Sequence, residues 1–161
     1  MVKEIILASK SGVRKKILEE NNIQFRVEPS NVDEDSVKES LLKEKATSTI
    51  ISKNLAELKA NKISQKFTEE IVLGADSVID LDGEIISKPN DREEALEILK
   101  RMNGKTHQLI SSVCISRGGS MIWNYTDKAS LTMKNMTFFE LENYLKKVSD
   151  KDLYAYNVYQ I

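Results

Sequence analysis

One acidic residue stands inside an apolar, β-branched stretch, Ile71-Val72-Leu73-Gly74-Ala75-Asp76-Ser77-Val78-Ile79. Such a run reads as a buried central strand, where an ionised carboxylate is costly to desolvate unless it has partners. Aspartate is also a poor strand former. Asp76 therefore caps a turn, pairs with a buried Lys or Arg, or does chemistry. Gly74 bears on the choice, because a glycine in a strand marks a bulge or a close approach of backbone to a ligand.

Other residues could serve such chemistry. Ser9, Ser11, Arg14 and Lys15 surround the start of a helix, where two hydroxyls, free backbone N–H groups and two cations could cradle an oxyanion. The plainer alternative makes Ser11 an N-cap and the two cations a solvated face. The acids Asp33-Glu34-Asp35 could hold a metal or be ordinary turn residues. Lys59 lies in a Lys-rich amphipathic segment, where lysines are usually solvated, so only its placement relative to Asp76 would give it a role. Lys88 follows a hairpin that returns it towards the neighbourhood of Asp76. The single His107, at a strand start, reads as a hydrogen-bonding structural residue.

The 161 residues suffice for one domain with a real core, and the 40% hydrophobic and 30% charged fractions are those of a globular chain. A net charge of −1, with 24 basic and 25 acidic residues, offers no field to hold a duplex or an anionic membrane, so a nucleotide must be held locally. One cysteine, Cys114, and no apolar run near membrane-spanning length point to a cytoplasmic location.

The elements that must position these groups follow in order. Residues 4–8 form a strand, and a helix begins after Ser11 with Val13, Ile17 and Leu18 on one face. Residues 24–28 form a second strand, ended by Pro29. Ser36 and Glu39 suit a capping box, followed by an apolar stripe to about residue 62, read as one helix or as two broken near Ser52. The central strand runs to Leu81, turns at Asp82-Gly83 and returns through residues 84–86. Asp91 and Glu94 start a helix that Gly104 stops, with Ala95, Leu96, Leu99 and Met102 inward. Residues 106–116 form a long strand, turned by Gly118-Gly119 into strands at 121–125 and 129–133, and Thr137 with Glu140 caps a last helix. The sheet is expected to be mixed. The tail from Tyr154 to Ile161 is aromatic and apolar.

Taken together, Leu7-Ala8-Ser9-Lys10-Ser11 with Arg14 and Lys15, Asp33-Glu34, Leu58-Lys59-Ala60, Leu73-Gly74-Ala75-Asp76, Gly83-Glu84 with Lys88-Pro89, Asn103-Gly104-Lys105-Thr106-His107 and the terminal Tyr156 to Ile161 resemble, in order and spacing, the Maf family of nucleoside triphosphate pyrophosphatases. The resemblance spans the chain. It implies an α/β fold of the Maf/ITPase-like kind, an elongated mixed β-sheet with flanking helices and a central cleft, in a single domain over 1–161. Two departures stand out: Gly12 and Val13 replace the family's usual Pro and frequent Arg, and the chain stops where family members continue for some tens of residues. The expectation is a domain without that C-terminal segment, through truncation or as a shortened member.

The resemblance further implies hydrolysis of a nucleoside triphosphate to the monophosphate and pyrophosphate. Asp76 would be the catalytic carboxylate and, with Glu34, would hold Mg²⁺ or Mn²⁺; Ser9, Ser11, Arg14, Lys15, Lys59 and Lys88 would bind the triphosphate. The base-choice positions fall at Val13 and Ser77. A tail like that of the 7-methyl-GTP branch favours a modified purine, with dTTP and UTP as the alternative. A nucleotide-binding regulator of cell division without turnover is the rival from another class. The expected partners are the nucleotide and a second copy in a homodimer, with no nucleic acid and no membrane.

Overall fold

The computed structural model describes residues 4–156, with side chains through Tyr154; the tail residues 157–161, on which part of the branch expectation rests, lie outside the described residues. The chain folds as a mixed α/β protein. Its elements are β1 (Ile5–Leu7), α1 (Gly12–Glu20), β2 (Phe25–Val27), α2 (Glu34–Lys43), α3 (Ser48–Ser64), β3 (Val72–Leu81), β4 (Glu84–Ile86), α4 (Arg92–Met102), β5 (Thr106–Arg117), β6 (Ser120–Thr132), α5 (Phe138–Lys147) and α6 (Asp150–Tyr156). The sheet has the order β2-β1-β3-β5-β6, with β4 paired to β3. It is mixed: β1 runs parallel to both β2 and β3, whereas β3 and β4 are antiparallel. Among the described residues no helix is long and apolar enough to cross a membrane.

Two compact units are distinguished, residues 1–77 with 110–127 and residues 78–109 with 128–161. In the first, Ile6, Ala8, Ala56, Ala60, Val72 and Cys114 form a core between α3 and the strands. Burial pushes the Cys114 thiol up to about 11, so it is a packing residue and not a nucleophile. In the second unit, Ile79, Leu81 and Ile86 pack with the inner faces of α4 and α5. The β3–β4 turn is tight because Asp82 and Gly83 both take positive φ, 53° and 88°, as a two-residue hairpin of this type requires.

Several local expectations are revised. The break in the helical stripe lies at residues 44–47, not near Ser52: Lys45 has φ 59°, and the Thr47 side chain accepts from the Ile50 N–H to start α3. Asp33, not Ser36, caps α2, accepting from the Ser36 N–H at 3.1 Å, which moves Glu34 and Asp35 from a loop into the first helical turn. Only Leu18 of the expected α1 face is buried; Val13 and Ile17 are 53% and 52% exposed. The two strands expected after Gly119 are one 13-residue strand, β6, in which Ile122, Trp123 and Tyr125 are exposed.

Gly74 has a structural explanation. A Cβ built there would fall on the Ala56 carbonyl oxygen and lie 2.8 Å from both Ala60 N and Ala60 Cβ. The close approach is therefore to helix α3, and β3 runs through Gly74 without interruption. Gly74→Ala should force α3 away from β3 at a cost of about 1–3 kcal/mol, the scale of overpacking a filled core. Differential scanning calorimetry checks this, and an unchanged Tm would show that the helix yields freely.

Candidate functional site

Asp76 and Gly74 alternate onto the face of β3 that meets α3. Because the glycine lets α3 lie close, Lys59 reaches the strand. Its Nζ donates to Asp76 Oδ1 at 3.0 Å and to the Ala75 carbonyl oxygen at 3.2 Å, and it pairs with Glu34 Oε1 from the first turn of α2. Lys59 is 6% exposed and Asp76 4%, so the expectation of a solvated lysine is overturned. The reason is phase: Lys59 lies four residues from both Leu55 and Ile63, on the buried stripe of α3.

The two Asp76 oxygens have different surroundings. Oδ1 is held by Lys59, whereas Oδ2 is buried and has no hydrogen-bond partner among the described residues. Burial raises the carboxyl above its usual range; Lys59 pulls it down, Glu34 adds to the rise, and Lys38 opposes it. Lys38, which sequence reasoning missed, is half-buried one turn after Glu34 on the same helix.

The start of α1 contributes a second cluster. Ser11 caps the helix, accepting from the Arg14 N–H at 3.3 Å, while its own N–H donates to Ser9 Oγ at 3.2 Å. Arg14 folds back so that its guanidinium donates to Ser9 Oγ at 3.0 Å. Burial lowers the Arg14 pKa, and the charges of Asp76 and Glu34 pull it back up. Arg14 thus lies within the field of the two carboxylates, and neither it nor the half-buried Lys15 belongs to a fully solvated face.

The loop between β1 and α1 therefore supplies Ser9 and Ser11, and four elements of the first unit, α1, α2, α3 and β3, supply Arg14, Glu34, Lys59 and Asp76. Val13 is exposed on α1. Ser77 points to the face of β3 opposite Asp76, where its Oγ lies 2.9 Å from Ser111 Oγ. Lys88 is exposed and belongs to the second unit, so the geometry of the first does not place it. The buried His107, its pKa lowered by burial, lies at the start of β5 in the second unit.

A hard divalent cation fits what is present. Among the described residues no group of three or more His, Cys, Asp and Glu is arranged as a metal cage. Mg²⁺, however, is commonly held by one or two carboxylates with substrate phosphates completing its shell. The unpartnered Oδ2 of Asp76 and the carboxylate of Glu34 match that pattern.

A sequence profile described as Maf-like protein matches residues 4–157. A nucleoside triphosphate pyrophosphatase from Pelagibacter ubique (strain HTCC1062) is 96% identical over 161 residues, 100% of this chain and 83% of that protein. A 7-methyl-GTP pyrophosphatase from Brucella suis biovar 1 is 35% identical over the same span, 81% of its own length. Among solved structures, a nucleoside-triphosphatase / dITP/XTP pyrophosphatase from Mycobacterium abscessus shares the fold, with TM-score 0.51 and 12% identity over 80% of this chain and 73% of that one.

Proposed function

The chain belongs to the Maf-like protein family, and on that premise we propose that it hydrolyses a nucleoside triphosphate to the monophosphate and pyrophosphate, with water attacking the α-phosphorus. One observation carries the reading: a buried carboxylate whose Oδ1 is fixed by a buried lysine and whose Oδ2 has no partner among the described residues. That oxygen is the one free to orient water or hold a cation. When bound, a divalent cation held by Asp76 and Glu34 would supply charge neutralisation for the phosphates.

The chain's own residues do the rest. Burial makes Asp76 a stronger base than a solvated aspartate, because the anion is disfavoured and the proton better retained. Arg14, whose planar fork matches phosphate oxygens, and the hydroxyls of Ser9 and Ser11 at the α1 N-terminus suit the triphosphate. Lys15 and Lys88 would add charge from their own segments.

The test is product analysis with Mg²⁺ or Mn²⁺: pyrophosphate and monophosphate in equal amounts are expected. Orthophosphate as the first product would exclude cleavage at the α-phosphorus.

For the base, a large or modified purine of the 7-methyl-GTP kind is preferred over dTTP and UTP. Val13 offers an exposed apolar surface for stacking and no charged donor for a pyrimidine carbonyl. Ser77 is engaged with Ser111 on the other face from Asp76. A modest preference is expected, roughly 1–3 kcal/mol between substrates, in kcat/KM across dTTP, UTP, CTP, GTP and 7-methyl-GTP. A higher value for dTTP and UTP would move the chain to the pyrimidine branch and leave Asp76 in place.

We read residues 1–161 as one family domain, supported by a profile match that runs through both compact units. We propose a cytoplasmic homodimer; the near-neutral charge supports a small-molecule substrate over a nucleic-acid partner.

A further inference from the structure

The Asp76 carboxylate can be no better placed than the peptide that carries it, and that peptide is held from outside the sheet. Ser52, on α3, has 0% exposure, and its Oγ donates to the Asp76 main-chain carbonyl oxygen at 3.1 Å. The Ile110 carbonyl oxygen of β5 lies 3.5 Å from the same Oγ. A hydroxyl carries one hydrogen, so the shorter contact is the one it satisfies best. A serine inside a helix often donates to the carbonyl one turn back along its own helix; Ser52 turns to the strand instead.

Seven residues further along α3, two turns on the same stripe, Lys59 donates to the Ala75 carbonyl oxygen and to Asp76 Oδ1. Two successive carbonyls of β3, those of Ala75 and Asp76, thus each accept a bond from an α3 side chain. Gly74 lets the helix come close enough for both.

We propose that Ser52 is a positioning residue for hydrolysis, pinning the Asp76 peptide at its carbonyl oxygen while Lys59 holds Oδ1, so that Oδ2 keeps a fixed direction. This rests on the reading of Asp76 as the carboxylate that orients water or holds the cation. Ser52 acts through Asp76, so its loss should lower turnover and leave nucleotide binding by α1 untouched, since small misplacements of a catalytic group cost rate.

The experiment uses an isosteric pair, Ser52→Thr and Ser52→Val, which share a shape and differ in the hydroxyl. Pyrophosphate release is measured alongside thermal unfolding, with Asp76→Asn in the same series. Ser52→Val is expected to have a kcat about 5- to 20-fold below that of Ser52→Thr with KM within about twofold, the scale of a displaced catalytic group. Equal kcat values for the pair, or a difference carried by KM, would overturn the proposal. If neither β-branched side chain is accommodated, Ser52→Ala takes their place, with the same fall in kcat relative to the parent expected and an unchanged kcat overturning it. An inactive Asp76→Asn beside an unaffected Ser52→Val would reject the positioning role alone. A fully active Asp76→Asn would reject the reading of Asp76, and the proposal with it.

Discussion

Asp76→Asn should lower turnover by at least about 10²-fold, the scale of losing a general base, while the protein stays folded. Asparagine keeps the shape and the oxygen near Lys59 but offers neither a proton acceptor of comparable strength nor a negative charge for a cation. The fold should tolerate it for a reason set by burial. A carboxyl raised by desolvation contributes stability that is fully present below the ordinary Asp range and lost as the pH rises through the raised value. Burial thus disfavours the anion relative to a solvated aspartate, and a neutral amide removes that cost while Glu34 stays paired with Lys59. Activity should follow the opposite course, falling on the acid side as Asp76 takes up its proton, with the limb displaced above the usual carboxylate range. Steady-state assays over pH, with circular dichroism on the same samples, check both. Near-parental turnover in Asp76→Asn would make Asp76 a structural partner of Lys59.

Lys59→Met should produce the largest loss of stability of any single substitution in the site. The methionine keeps most of the apolar stem, so the change isolates the charge. It leaves the 4% exposed Asp76 and the half-buried Glu34 facing each other without the cation between them. Breaking a buried pair from one side costs about 3–5 kcal/mol, and the partial exposure of Glu34 together with protonation of Asp76 places this case near 3 kcal/mol. For a chain of this size that is a fall in Tm of roughly 6–12 °C. The double variant Lys59→Met/Asp76→Asn should recover part of the loss, because the stranded carboxylate is gone. Calorimetry on the parent, both singles and the double gives the coupling. Additive losses would mean that the two side chains do not sense each other. The same numbers bear on Lys88, exposed in the second unit, whose alanine variant should leave the Tm nearly unchanged.

Much of this site was legible in the chain because single residues broke the local pattern. Asp76 was conspicuous as an acid in an apolar strand, and Gly74 as a gap beside it; both lie where α3 meets β3. Ser11 was readable as a cap from its place before a helical stripe, and it is one. Lys59 was harder, since a lysine among many on a helix gives the same signal whether buried or solvated. Its phase with Leu55 and Ile63 was the available clue. Ser52 was read only as a break, because a serine's hydroxyl reveals its acceptor only when another element is packed against it. Strand β6 was divided in two at Thr126-Asp127-Lys128, as polar residues interrupt a buried strand; at a sheet edge, with most side chains exposed, they do not.

The exposed aromatics of β6 decide how such variants can be observed. Trp123 is the single tryptophan of the chain, 49% exposed and stacked on Tyr125 at 6.2 Å between ring centroids. An indole already half in water emits at long wavelength in the native protein, so its fluorescence maximum moves little on denaturation and reports the surface of one strand. Intrinsic fluorescence would therefore understate a collapse of the α3–β3 contact, and a mutant that had lost its core could still glow like the parent.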